Sequence, residues 1–426
     1  MILRDSLASS GQGRVVALGV AAALAVLACG DGGPASPTRL DVSPSVGLLT
    51  SVGTMQKFTA QVVDERGASM AGVSVAWSSS NPSVAAIDAS TGVATAQQTG
   101  VTTITAAVGT VSGEALLEVY LPLEPSYIPG QAYFGRRQYI EYVAGDLPII
   151  VSAPHGGYEE PLEIPDRTWG TTSRDRQTQE LIRVIGAAIH DRTGRHPHLV
   201  VSRLHRSKLD PNRDIDEAAQ GNPFAEWAWN EFHGFIEAAE QAVEEEYGKG
   251  FYIDLHGHGH DIQRLELGYL LSATDLARSD AELAQPEYVD RSSIHTLAGE
   301  AASGFVALLR GPTSLGGLLA ERGFPSVPSP AQPDPGWQPY FSGGYNTRRH
   351  GSRDGGAVSG VQLEANWQGV RDSAGSRDTF AAALAEVLAI FFSAHIGVEL
   401  TYAAPMATHS EWGRFHGTES ALHIGR

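Results

Sequence analysis

The hydrophobic pattern changes period part-way along the chain, and that change dictates two differently built domains. From residue 38 to residue 119 short apolar runs alternate with period two, cut by Gly, Ser, Asn and Asp, with no helical periodicity. Residues 57–63, 73–77 and 102–106 are predicted strands, and their regular turns predict a β-sandwich. Beyond a proline-rich link at 121–129, almost continuous apolar runs alternate with helix-period segments. Buried strands separated by helices predict a mostly parallel sheet covered on both faces.

In that second part the predicted strands are 147–153, 199–201, 251–255, 269–271 and 361–363. Helices are predicted over 174–192, 225–247 and 379–392. In the first of these Leu181, Ile182, Ile185, Ala188 and Ile189 share a face, with Ser173 as N-cap and Gly194 as the stop.

Acidic residues outnumber basic ones by 48 to 30, a formal charge of −18. Nucleic acid and anionic membrane surfaces are therefore excluded as main partners. A single cysteine excludes a disulfide framework and a Cys-rich zinc finger. Arg4 and Arg14 precede an apolar run at 15–28, the build of a secretory signal. Val26-Leu27-Ala28-Cys29 resembles a bacterial lipobox, which implies lipidation at Cys29. The chain then divides into a signal peptide (1–29), a flexible tether (30–37), the β module (38–120), the α/β domain (121–400) and a tail (401–426). The expected location is exported, anchored to a membrane by lipid alone, in the periplasm or at the cell surface.

Trp77-Ser78-Ser79-Ser80-Asn81-Pro82-Ser83-Val84-Ala85, Thr91-Gly92-Val93-Ala94-Thr95-Ala96 and Gly100-Val101-Thr102-Thr103-Ile104-Thr105-Ala106 resemble the bacterial Ig-like (group 2) domain. The resemblance implies a spacer, or a module touching cell-wall or surface glycans. It carries no histidine, since all 15 lie at or beyond His155.

Polar residues directly follow the apolar strands of the second domain: His155, Arg203, His256 and Glu364. Ligands of open α/β sheets bind beyond the carboxyl ends of the strands, so four strands deliver candidates to one edge. His155 sits in Pro154-His155-Gly156-Gly157, and His256 in Asp254-Leu255-His256-Gly257-His258-Gly259-His260. Aspartate beside a strand-end histidine suits a metal ligand backed by a carboxylate. His256, His258 and His260 would share one face of an extended chain, a local alternative to joining His256 with the distant His155. A catalytic zinc takes three protein ligands and leaves a position open. Asp175 is the first choice for the third, with Glu159 and Glu160 as alternatives; its competing role is favourable charge at a helix start.

The loop 203–214 crowds cations: Arg203, His205, Arg206, Lys208 and Arg213. Arg203 or Arg206 is expected to share a developing oxyanion, and a substrate carboxylate is the natural partner of such a loop. The alternative is an internal salt-bridge loop. Glu364 closes a buried strand where a charge must be paired or used, which fits a general base.

Pro154-His155-Gly156-Gly157, Asp175-Arg176-Gln177-Thr178-Gln179-Glu180-Leu181, Leu209-Asp210-Pro211-Asn212-Arg213, Asp254-Leu255-His256-Gly257, Gly343-Gly344-Tyr345 and Gln362-Leu363-Glu364 resemble, in order, the motifs of N-formylglutamate amidohydrolases. The resemblance implies a phosphorylase/hydrolase-like α/β fold, Zn²⁺ held by His155, His256 and an acidic residue, and Glu364 as base. It also implies that Asn212 and Arg213 grip a substrate carboxylate. The expected function is zinc-dependent hydrolysis of an amide beside a carboxylate, in an N-acyl amino acid, a peptide or a cell-wall fragment. The competing expectation is a surface binding protein with a degenerate hydrolase domain.

Overall fold

The computed structural model describes residues 35–50, 52–120, 127–300 and 304–400 of the 426. The signal peptide, Cys29 and the tail at 401–426 lie outside the described residues. The chain divides into two compact units, Met1–Pro122 and Leu123–Arg426.

The first unit contains strands β1 (Pro37–Ser43), β2 (Val46–Leu49), β3 (Met55–Lys57), β4 (Thr59–Asp64), β5 (Ala76–Ser79), β6 (Ala85–Ile87), β7 (Val93–Ala96), β8 (Gly100–Val108) and β9 (Val111–Val119). They form sheets β1-β4, β2-β9-β8-β5 and β3-β7-β6 around Leu40, Phe58, Trp77, Ile104 and Leu117. The strand expected over 57–63 is broken at Phe58, whose N–H bonds the Gly92 carbonyl (2.8 Å). The break moves the chain from the sheet of β7 to that of β1 and leaves the ring buried. Gly92 has φ 71°, and a Cβ there would stand 2.7 Å from the Trp77 ring, so the turn needs glycine twice over. Residues 73–75 are not strand; Val73 and Val75 pack against the core without a ladder partner.

The second unit has an eight-stranded sheet of β10 (Ala132–Phe134), β11 (Ile140–Val143), β12 (Ile149–Ala153), β13 (His198–Ser202), β14 (Gly250–Gly257), β15 (Leu265–Gly268), β16 (Ser326–Val327) and β17 (Val358–Ala365). Its order is β10-β11-β13-β12-β14-β17-β15-β16. The central strands β13, β12, β14 and β17 are parallel, while β11 and β15 join antiparallel. Alternation divides the two faces of the sheet. Val151, Ile253, Leu255, Val361 and Leu363 enter a core shared with the helices Thr178–Thr193 and Ala374–Phe391. Ser152, Asp254, His256, Gln362 and Glu364 alternate with them and take the other face. The helix Pro223–Tyr247 covers that side through the ring series Trp229, His233, His350 and Tyr252. The segment Ala374–Ile396 is long and apolar enough to cross a membrane, yet 61% of its most apolar window is buried within this unit.

Two further expectations are corrected. Residues 269–271 are not a strand: β15 stops at Gly268 and Leu270 turns with φ 64°. Tyr269 and Leu271 are buried all the same, because periodicity reports burial rather than ladder pairing. The helix expected from residue 174 starts at Thr178, after Gln177 in a left-handed conformation (φ 68°), and Ser173 caps nothing. Gly194 ends it as expected, at φ 70°.

Candidate metal centre

The late helix start decides what Asp175 does. Residues before Thr178 remain a loop, and the Asp175 N–H bonds the His155 carbonyl (3.0 Å), docking that loop on the segment leaving β12. The Asp175 carboxylate turns to the histidines and not to a helix end. Its Oδ2 lies 3.1 Å from His256 Nδ1 and 3.4 Å from His155 Nδ1, and accepts the Gly257 N–H (3.2 Å). The imidazole rings stand 4.7 Å apart at 64°.

Each imidazole has a buried carboxylate behind its other nitrogen. His155 Nε2 bonds Asp210 Oδ1 at 2.6 Å, and His256 Nε2 bonds Asp254 Oδ2 at 2.8 Å. Both aspartates are fully buried. Asp210 also accepts from Arg206 Nε (2.9 Å) and the Asn212 N–H (3.1 Å). Asp254 accepts from Ser152 Oγ (2.9 Å) and Asn346 Nδ2 (3.2 Å). In the neutral form that holding a cation requires, a proton at Nε2 leaves Nδ1 as the bare nitrogen of each ring.

Burial penalises charge throughout the cluster, but specific partners overrule it at Asp175 and His256. Burial works to raise the pKa of Asp175, yet His155 and His256 hold it well below the usual carboxylate range. Burial works to lower that of His256, yet Asp254, Asp175 and Glu364 raise it well above the usual imidazole value. Glu364, a direct cross-strand partner of His256, is pushed up to about 8, by burial first. His256 opposes that rise, while the Asp175 and Glu266 charges add to it.

The donor set fits a divalent cation. His155, Asp175 and His256 each offer one ligand atom, all within 4.8 Å of one another. His155 Nδ1 is buried with no hydrogen-bond partner, an expensive state for a polar atom unless something else occupies it. Two imidazole nitrogens and one carboxylate suit zinc with a position left open.

His258, His260 and Glu266 form a second group of the same kind. There His258 is already satisfied, with Nε2 donating to the Arg264 carbonyl (2.8 Å) and Nδ1 accepting the His260 N–H (3.1 Å). The local tri-histidine alternative is therefore split: His256 joins His155, His258 turns to the Arg264 carbonyl, and His260 turns to Glu266. His260 Nδ1 bonds Glu266 Oε1 (2.8 Å), and its ring stacks on Phe341.

The cationic loop divides in the same way. Arg206 reaches the cluster, with Nη1 3.6 Å from Asp175 Oδ1 and Nε on Asp210. Arg203 does not: its guanidinium pairs with Glu159 (2.6 Å) and the Gln138 carbonyl (2.8 Å). That pairing also occupies Glu159, while Glu160 lies 4.0 Å from His205. Arg213 is held by Glu217 (3.1 Å) and the Asn212 carbonyl (2.6 Å). Asn212 is buried beside His256, with Nδ2 3.3 Å from Nε2 and Oδ1 accepting the Asn346 N–H (2.8 Å). Sequence reasoning missed the part of Asp210, although Leu209-Asp210-Pro211-Asn212 was in view, and it missed Arg371 altogether.

Residues 38–119 match the family profile of the bacterial Ig-like domain, group 2. The first unit carries that domain. No curated protein matches the chain. Among solved structures, domains 4 and 5 of the S-layer protein SbsC align over 20% of this chain and 53% of theirs, at 18% identity and TM-score 0.18. The chain thus spans about half the length of that structure. N-formylglutamate amidohydrolase from Ralstonia eutropha JMP134 aligns over 61% of this chain and 99% of its own, at 14% identity and TM-score 0.36. A gene product from Agrobacterium tumefaciens aligns over 60% and 94%, at 13% identity and TM-score 0.35.

Proposed function

We propose that the α/β unit is a zinc-dependent amidohydrolase acting on a small or terminal amide beside a carboxylate. The observation that carries this reading is the pair of imidazoles whose Nε2 atoms are fixed by buried aspartates and whose Nδ1 atoms face one carboxylate. His155, Asp175 and His256 would hold the ion. Bound zinc supplies Lewis acidity towards a carbonyl oxygen and acidifies a water.

The chain's own groups would handle the rest. Glu364, beside His256 on the neighbouring strand, takes the proton from the attacking water and delivers it to the leaving nitrogen. Burial raises its pKa towards the neutral range before any cation is bound, the direction that suits a carboxyl that both accepts and returns a proton. Arg206 is fixed through Nε by Asp210, and its Nη2 has no partner among the described residues, leaving donors for a substrate oxygen. The substrate is an N-acyl amino acid, a peptide or a cell-wall fragment. The Ig-like domain supports a surface setting, in which Cys29 would be the lipid anchor and the domain a spacer or glycan contact.

Elemental mass spectrometry of the full chain tests the centre, with His155→Ala, His256→Ala as the control. One zinc per chain, lost in the double variant, is expected. No tightly held metal in the zinc-loaded wild type would sink the mechanism. Glu364→Gln should then keep the zinc and lose at least about a hundredfold in turnover of N-acyl amino acids; retained turnover removes Glu364 as the base.

A further inference from the structure

Three segments must stay in register for the centre to exist: the loop carrying Asp175, the end of β14 carrying His256, and the end of β17 carrying Glu364. Arg371 meets all three. It is buried, and its Nε donates to the Ala365 carbonyl (2.9 Å), Nη1 to that of Arg176 (2.6 Å) and Nη2 to that of His258 (2.7 Å). These carbonyls belong to the residue after Glu364, the residue after Asp175 and the second residue after His256. The guanidinium lies against Gly257, where a Cβ would stand 2.3 Å from Arg371 Cζ. Arg371 has no ion pair with a carboxylate among the described residues.

We propose that Arg371 is the positioning residue of the metal centre, its planar fork setting Asp175, His256 and Glu364 relative to one another before any cation binds. This rests on the metal-centre reading above. Only arginine offers donors on three nitrogens in one rigid plane, matching three acceptors from three separate segments. Lysine keeps the charge, but all its donors sit on one nitrogen. The backbone carbonyls satisfy the fork, and Asp175 and Glu364 attract it from further away.

The sign of the effect separates positioning from local charge. Removing a buried positive charge beside a cation site strengthens cation binding by Coulomb's law. Loosening the groups that orient ligands weakens it, typically about 10- to 100-fold. Arg371→Lys and Arg371→Met in the full chain are compared with wild type by three readouts: zinc affinity against a chromophoric chelator, thermal midpoint of the zinc-free protein, and the His256 imidazole ¹⁵N signals of the zinc-free protein.

Zinc affinity is expected to fall about 10- to 100-fold in both variants, with no rescue by lysine, and the His256 signals to shift without zinc. Gly257→Ala, whose new Cβ displaces the guanidinium, should move both readouts the same way and covers the case in which an Arg371 variant does not fold. Unchanged or tighter zinc binding with unshifted signals overturns the proposal. A lower thermal midpoint with unchanged zinc affinity likewise reduces Arg371 to a stabilising residue. A wild type that binds no zinc overturns the functional reading instead, and the zinc-free imidazole signals then decide the positioning claim by themselves.

Discussion

His155 and His256 differ from His258 and His350 in what stands behind them, although His260 also rests on a buried carboxylate, Glu266. The second nitrogens of His155 and His256 rest on wholly buried aspartates, whereas His258 rests on a backbone carbonyl and His350 on the partly exposed Glu240. A buried carboxylate fixes the ring and makes its free nitrogen a stronger donor. Asp254→Asn preserves shape and removes the charge, so zinc affinity should fall about 10- to 100-fold by chelator competition. Arg203→Ala, at the part-exposed pair with Glu159, should leave that affinity unchanged and serves as the control. Equal effects from the two substitutions would show that the aspartate does not tune the ring. Arg206 and Arg213 stand in one loop, and the sequence does not rank them. Folding does, because Arg206 finds Asp210 and Asp175 while Arg213 finds Glu217.

At the scale of elements, capping chemistry and tertiary demand compete. The helix Pro223–Tyr247 begins where local rules place it: Asn222 Oδ1 accepts from the Phe224 and Ala225 N–H groups, and proline follows at the first helical position. Asn222→Ala should cost about 1 kcal/mol in urea unfolding. A loss within error would mean that packing alone holds that helix end. The helix Thr178–Thr193 breaks the local rule. Ser173 could have capped a longer helix, but that would draw Asp175 and Arg176 into the first turn and away from His155 and Arg371. The loop survives because its polar groups find better partners in the centre than a helix would give them.

At the scale of the whole molecule, buried neutral histidines set how it meets acid. His198 lies inside the α/β unit with Nδ1 beside Tyr142 Oη (2.8 Å) and the Gly145 N–H (3.1 Å). Burial pushes its pKa down to about 4, from an unfolded value near 6.5. The unfolded chain therefore binds the proton first, and stability falls as pH drops from 6.5 to 4, by about 3 kcal/mol. His233, lowered to about 2 by burial and by His350, extends the loss further into acid. Urea unfolding between pH 7 and pH 4 checks this. His198→Asn should flatten the pH dependence by that amount, and an unchanged slope would mean that His198 does not carry it.

Composition and periodicity alone determined that there is a β-sandwich and then an α/β sheet, since the periods of 2 and 3.6 are written residue by residue. They also determined that His155, His256 and Glu364 leave buried strands at one sheet edge, because a strand's burial shows in its own composition. They did not determine the break at Phe58, the turn at Leu270 or the late helix start at Thr178. Each is a choice between two pairings that local sequence permits, made by a partner distant in the chain. Asp210 behind His155 is such a partner, and so is Arg371, whose three acceptors come from segments that meet only when the sheet has formed. Spacing reveals which face a residue takes; which atom stands behind it is decided by tertiary contact, because hydrogen-bond partners 50 to 200 residues apart leave no periodic trace.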